Sequence, residues 1–326
     1  REVWNAEVSE RTPLSSQSLV YGAVDVAWFN TVYNTLGKKR WEQLDESAQY
    51  ASGGGGHKRA QLFANALLGK ETVGEVTKRI KDKRNQDALR ALGLIPLSAD
   101  DDKQKREVLE RYKITQTFLR ESKKFGSQRQ ASEKLASLIA MENLARTAGY
   151  ADPQRLTWAM EAEDIADLVQ GPVSKTSDEV TVTLSIDAKG EPQLEITKKD
   201  KTLKDIPSEL KKVPEIAELL ERKRDIGKQT SRMRLSLEES MIRGDLFTTG
   251  ELKDLFKHPV LKPMLERLLF ITEDGAMGYP LENGKILKGI KQEATLGETK
   301  IRLAHSHDLL TSGIWHDYQQ ECFLAQ

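Results

Sequence analysis

The chain has 326 residues, 38% hydrophobic and 31% charged, and its 50 Lys and Arg balance 50 Asp and Glu for a formal net charge of zero. That length supports two domains or one repeat array with a real core. The charge content favours an exposed, helix-rich protein over a compact sandwich, and the missing basic excess counts against a dedicated nucleic-acid binder.

Cys322 is the single cysteine, so no intramolecular disulfide can form and a reducing, cytoplasmic location is expected. No apolar run reaches the roughly 20 residues of a membrane-spanning helix. No signal peptide is visible, and a chain opening on Arg1 reads as a segment of a longer protein.

Arg1 to Ser16 is polar and reads as a lead-in. From Gln17, the run LVYGAVDVAWFNTVYNTLG reads as a helix with Val20, Val24, Ala27, Trp28 and Val32 on its inner side, closed by Gly37. Trp41 to Tyr50 reads as a second, shorter helix, and this αα-hairpin grammar recurs through the first half. The glycine run Gly53 to Gly56 then precedes His57-Lys58-Arg59 and the helical AQLFANALLGK. Glycines ahead of a basic helix start resemble a phosphate cradle, which makes Gly55, Gly56, Lys58 and Arg59 candidate anion ligands. A Walker loop needs glycine directly before its Lys and a hydroxyl directly after it. His57 and Arg59 stand there instead, so a flexible interhelical loop or a tight helix crossing is the plainer reading.

Thr72 to Ala91 reads as one helix with an interrupted apolar face, and KRIKDKR within it as a solvated surface. Ser98 to Asp102 offers N-caps and acids that suit a helix start. The helix that follows runs to about Phe125 with Val108, Leu109, Tyr112, Phe118 and Leu119 apolar. Gln128 to Ala148 carries a stripe of Leu135, Leu138, Met141 and Leu144 and stops at Gly149. Asp152-Pro153 is a cap and first turn for the next helix, which ends at Gly171-Pro172. The charged residues Arg129, Glu133, Glu142, Arg146, Arg155, Glu161 and Glu163 read as solvated faces with i,i+4 pairs. The sharper alternative is a buried Arg/Glu network holding two repeats in register. No fixed-length repeat emerges, and degenerate HEAT-like hairpins are the nearest pattern.

After Pro172 the period changes. Val180, Val182, Leu184 and Ile186 alternate with Thr181, Thr183 and Ser185, turn residues follow at Asp187 to Gly190, and Gln193 to Thr197 returns: a β-hairpin over 179–197. Pro214 opens a long helix to about Arg243, expected to pack on the body through a broken, near-heptad seam of Ile216, Leu219, Leu220, Ile226, Met233, Leu237 and Met241. Its basic set Arg222, Lys223, Arg224, Lys228, Arg232 and Arg234 is a candidate nucleic-acid surface, with a solvated face as the alternative. Thr249 to Phe256 and Val260 to Phe270 read as short helices. Turn signals at Glu273-Asp274-Gly275 and Glu282-Asn283-Gly284 suggest a small sheet that the hairpin could join. Thr299 to Ala304 reads as a further strand, with helices at Asp308 to Gly313 and Trp315 to Phe323 after it.

His305, His307 and His316 sit near Asp308, Asp317 and Cys322, and a His-x-His with a later His is a candidate zinc site. The alternative is a structural His305 with the others on the surface. No dinucleotide fingerprint, His-Glu-x-x-His or nucleophile elbow occurs, so no catalytic residue is assigned and no cofactor is expected.

Three runs carry a resemblance: WEQLDESAQYASGGGGHKRAQLFANALLGK, FGSQRQASEKLASLIAMENLARTAGYADPQRLTWAMEAEDIADL and IRLAHSHDLLTSGIW. They resemble the bacterial molybdate-metabolism-regulator-like (MolR-like), WGR-associated family with domain of unknown function 4132, although Ser306 stands where that family has a proline. The resemblance implies fusion to WGR modules, or neighbours among ATPases and von Willebrand-type domains. It brings no catalytic residues.

The expected architecture is mostly α, with HEAT-like helical hairpins over 1–172. A C-terminal α+β unit over 173–326 is expected to contain a β-hairpin or small antiparallel sheet and the long helix 214–243. The expected role is non-enzymatic: a scaffold or protein-interaction segment of a larger bacterial cytoplasmic protein. Its partner is another protein or other domains of the same longer chain, and no membrane is involved. One alternative is a nucleic-acid or nucleotide-linked regulatory module, and another is an enzyme with its site at the junction of the two units.

Overall fold

The computed structural model describes residues 2–52, 57–199, 201–290 and 293–324. The chain forms two compact units, Arg1–Met160 and Glu161–Gln326. It is mostly helical in the first and mixes helices with antiparallel sheets in the second.

The first unit begins with α1 (Glu2–Arg11), α2 (Ser16–Val20) and α3 (Val26–Ala51). The helix expected from Gln17 is therefore broken. Gly22 turns the chain at φ +103°, and Asp25 restarts it by accepting the Trp28 amide at 2.9 Å. The restart rotates the face: Phe29 is buried, whereas Trp28 is 59% exposed. Gly37 breaks α3 at φ 73°, ψ 165° into 26–36 and 38–51, at the stop its sequence implies.

Next come α4 (His57–Leu67), α5 (Val73–Lys83) and α6 (Gln86–Leu92). Thr72 and Glu75 form a reciprocal capping box at the start of α5. The single helix expected over Thr72 to Ala91 is two, because Arg84 adopts a left-handed conformation (φ 46°) and Asn85 caps α6 through the Ala88 amide. Then follow α7 (Asp101–Ser122), capped by Asp100, and α8 (Ser127–Thr147). The next helix, α9 (Pro153–Asp164), starts where Asp152 accepts the Arg155 amide.

Helix α6 is buried over Ala88 to Leu92 and packs on α4, α5 and α8. Around it lie Phe29, Phe63, Val76, Ile80, Phe118 and Ala140, while Val108, Tyr112, Met141, Leu144 and Leu156 form a second cluster beside α7 and α8. The approach of α6 to α8 is a backbone contact: a Cβ on Gly93 would lie 2.7 Å from both the Ala140 carbonyl oxygen and the Leu144 nitrogen. Asn143, fully buried on α8, ties three segments together. Its Oδ1 accepts from the Val24 amide at 2.9 Å, and its Nδ2 donates to the Gly22 and Arg90 carbonyls at 3.1 Å each.

In the second unit, α10 (Ala166–Gln170) leads into a four-stranded antiparallel sheet of β1 (Val173–Ser177), β2 (Val180–Ile186), β3 (Pro192–Lys198) and β4 (Lys201–Thr202), in that order. The expected hairpin is β2–β3, with Val182 opposite Ile196 and Leu184 opposite Leu194. The outer strand β1 pairs its hydroxyls across the sheet, Ser174 to Thr183 and Thr176 to Thr181, each at 2.8 Å. A short 3₁₀ turn at Leu210–Lys212 precedes α11 (Pro214–Arg243), which packs on β1, β2 and β3. Val180, Val182 and Leu184 are buried on one side, and Ile216, Leu219, Ile226 and Met233 of α11 are buried as well.

The rest is β5 (Phe247–Thr248), α12 (Thr249–Leu255), α13 (Lys262–Leu265), β6 (Phe270–Thr272), β7 (Met277–Leu281), β8 (Ile286–Lys288), β9 (Glu293–Thr295), β10 (Lys300–Leu303), α14 (Ser306–Ser312) and α15 (Trp315–Leu324). The strands make a second antiparallel sheet in the order β5-β10-β6-β7-β8-β9, and the hairpin does not join it. The helix expected over Val260 to Phe270 shrinks to α13 and gives way to β6. His258, 1% exposed, accepts the Val260 amide on Nδ1 at 3.2 Å, and burial pulls its pKa down to about 3, so the ring is neutral.

Candidate functional site

Helix α5 packs on α6, α7 packs on α8, and α6 packs on α8. Between α5 and α7 runs an open groove of about 510 Å³. Ile80, Lys81 and Arg84 form one wall. The other wall is a single face of α7, from Arg106 through Glu110, Lys113, Ile114 and Thr117 to Glu121. That i,i+3/i+4 spacing keeps all of them on one side of the helix, and the 15 steps from Arg106 to Glu121 at 1.5 Å each make that face about 22 Å long. Leu109, Ile114 and Phe118 put apolar surface into it, with Ile80 opposite. Around them stand the cations Lys81, Arg84, Arg106 and Lys113, against Glu110 and Glu121.

Arg84 anchors one end. Its Nη1 donates to Glu121 at 2.8 Å, its Nε and Nη2 to the two Glu133 oxygens at 3.1 and 2.7 Å, and Nη2 also to the Phe118 carbonyl at 2.8 Å. The guanidinium lies 4.1 Å from the Phe118 ring centroid and 5.0 Å from that of Phe125. Arg129 donates to the same Glu133 at 2.9 Å and covers Phe125 at 3.9 Å. Burial pushes the Glu133 carboxyl up, but the hydrogen bonds from Arg84 and Arg129 outweigh it and hold the pKa below the ordinary carboxylate range. The same pairing, led by the Glu133 hydrogen bond, raises the pKa of Arg84. The buried Arg/Glu network weighed from the sequence thus exists around Glu133, and its second arginine comes from the α5–α6 turn.

The sequence-derived sites are placed as follows. Gly55 and Gly56 lie outside the described residues. Lys58 and Arg59 are exposed in the first turn of α4, where Arg59 Nε lies 3.0 Å from Asp87 Oδ1, a carboxylate shared with Arg90. On α11, Arg222 Nη1 donates to Asp167 at 2.7 Å and Arg232 Nη2 to Glu161 at 2.7 Å. Lys228 pairs with Asp225 at 3.3 Å and Arg234 lies 4.0 Å from Glu191. Lys223 is half-buried and Arg224 exposed. Four of the six candidate phosphate contacts therefore stand beside carboxylates of their own unit.

Among the described residues, no three His, Cys, Asp or Glu side chains gather as a metal site. His305 Nδ1 instead accepts the His307 amide at 3.2 Å at the start of α14. Asp308 takes both Arg302 Nη atoms at 2.6 and 2.8 Å and the His305 amide at 2.8 Å. The Arg302 hydrogen bonds hold the Asp308 pKa down at about 2. His316 is not part of this group, and the Cys322 side chain lies outside the described residues.

The groove itself was not anticipated. Its signal was Ile114, an apolar residue off the main stripe of α7 and flanked by Lys113, Thr117 and Glu110.

Residues 2–160 match a family of unknown function (DUF5724), and residues 201–326 match a domain of unknown function (DUF4132). The closing run 301–315 falls within the second match. The run 41–70, and the central run as far as 160, fall within the first. No curated protein and no solved structure matches the chain.

Proposed function

We propose that this chain is a protein-interaction segment and that the groove between α5 and α7 is its docking surface. The observation that carries this is the partly apolar trough along four turns of α7, between two helices that each bury another side against α6 or α8. A trough of that length, with apolar residues at helical spacing and charges along its rims, suits a helix laid into it. The resemblance described above supports reading it as a segment of a larger bacterial, cytoplasmic protein of the molybdate-metabolism-regulator-like, WGR-associated kind. There, other domains of the longer chain or a separate protein would supply the helix.

A photoreactive benzophenone side chain at Thr117 tests this in the full chain. Irradiation should give one discrete protein adduct, and Ile114→Asp should remove it while leaving the far-ultraviolet circular dichroism unchanged. The same probe at exposed Glu42 should not give it. Absence of an adduct at Thr117, or equal adducts at both positions, would overturn the reading.

A further inference from the structure

We infer that the segment before Gly37 exchanges between two copies of this chain, with Gly37 as the hinge and α3 straightened into one continuous helix in the swapped dimer. This is independent of the groove between α5 and α7. In the monomer α3 doubles back on itself. Phe29 and Trp41 would lie about 18 Å apart on a straight helix, yet their ring centroids are 5.1 Å apart, and that of Tyr33 is 5.8 Å from Trp41. One residue makes the bend. Gly37 sits at φ 73°, ψ 165°, a region open essentially to glycine alone. No atom lies within 4 Å of a Cβ built there, so no packing contact holds the hinge. Helical angles at Gly37 would join 26–36 to 38–51 and give helical partners to the carbonyls before it and the amides after it. Little resists the realignment of 38–51, where every residue except Trp41 and Asp45 is exposed.

Straightening carries the preceding segment off its own body and uncovers the site that held it. That site is specific. It takes Phe29 into the core around α6, Leu14 and Ala23 against Ile139, and the backbone of Gly22 and Val24 on the buried Asn143 amide. The occupant that fits it is the same segment of a second copy, because each of these contacts re-forms between chains and only the hinge differs.

The test is sedimentation equilibrium of the full chain, refolded from urea at high concentration so that segments exchange. The wild type should show a dimer beside the 36.7 kDa monomer. Gly37→Ala penalises the bend and favours the helix, so it should lower the dimer dissociation constant by about tenfold or more. Lys38→Pro acts the other way. Proline suits the first position of the helix after the bend but breaks a continuous one, so this variant should stay monomeric, and added to Gly37→Ala it should remove the dimer. A benzophenone side chain in place of Trp41, in a mixture of ordinary and ¹⁵N-labelled chains, separates exchange from simple association. Adducts to the peptide carrying Phe29 and Tyr33 should join unlike chains in the dimer fraction and stay within one chain in the monomer fraction. A folded, monomeric Gly37→Ala, a dimer that survives Lys38→Pro, or adducts confined to single chains in the dimer would overturn the inference. Should Gly37→Ala fail to fold, the wild type and Lys38→Pro decide, and a wild type with no dimer overturns it.

Discussion

Glu133 has no exposed surface, yet its carboxylate is charged and shared by Arg84 and Arg129. A buried pair of this kind adds little net stability over an apolar substitute, because desolvation offsets the attraction. Removing one partner is different, since it strands the other charges. Glu133→Gln should therefore lower the stability of the full chain by about 3 kcal/mol in urea titration although the shape is kept. A loss below about 0.5 kcal/mol would mean that the arginines are solvated instead. The residue's importance was not legible in the sequence. Glu133 stands four residues after Arg129, like any surface pair, and the deciding partner, Arg84, is 49 positions away. His305 was legible in part: a structural role stood beside the ligand role in the sequence, but the backbone amide it accepts did not.

At the scale of elements, caps made much of the fold readable. Asp100 and Asp152 each stand one residue before the observed starts of α7 and α9, and Pro214 is the first residue of α11. The breaks were harder. Asn85 and Asp25 also cap helices, but each lies inside a pattern that remains helical on both sides. Strand β1 has a single apolar residue, Val173, and is held by hydroxyl pairs that no alternation of hydrophobicity reveals. Helix α6 shows why so short an element is indispensable: its seven residues are surrounded by α4, α5 and α8. Gly93→Ala should destabilise the protein by about 1–3 kcal/mol through overpacking against the α8 backbone. Gly93 has an ordinary helical φ of −68° and alanine is the better helix former, so propensity alone forecasts the opposite sign. Guanidinium denaturation of the variant decides between them, and a gain in stability would show that α6 and α8 can separate without penalty.

For the whole molecule, the formal charge is balanced, and the α11 cations are mostly set against neighbouring carboxylates. Its response to mild acid has a contribution from the second unit. An unfolded His258 takes a proton near its ordinary pKa of 6.5, while the buried ring resists until about 3. The stability due to the neutral ring is therefore complete above 6.5 and declines as pH falls towards 3, by at most about 1.4 kcal/mol per pH unit. Asp308, held at about 2 by Arg302, adds a loss only below its unfolded value of 3.8. Urea midpoints should accordingly fall between pH 6.5 and 4, and His258→Gln should flatten that slope. A slope unchanged in the variant would assign the acid sensitivity elsewhere. The amide of Asn143 has a consequence in time. It holds Gly22 and Val24 across a separation of 119 residues from Val24. On a ribosome adding about 5–20 residues per second, that partner arrives roughly 6–24 s after Val24. For that interval the opening helices wait without their anchor, and the nascent chain carries them unfastened until α8 has been made.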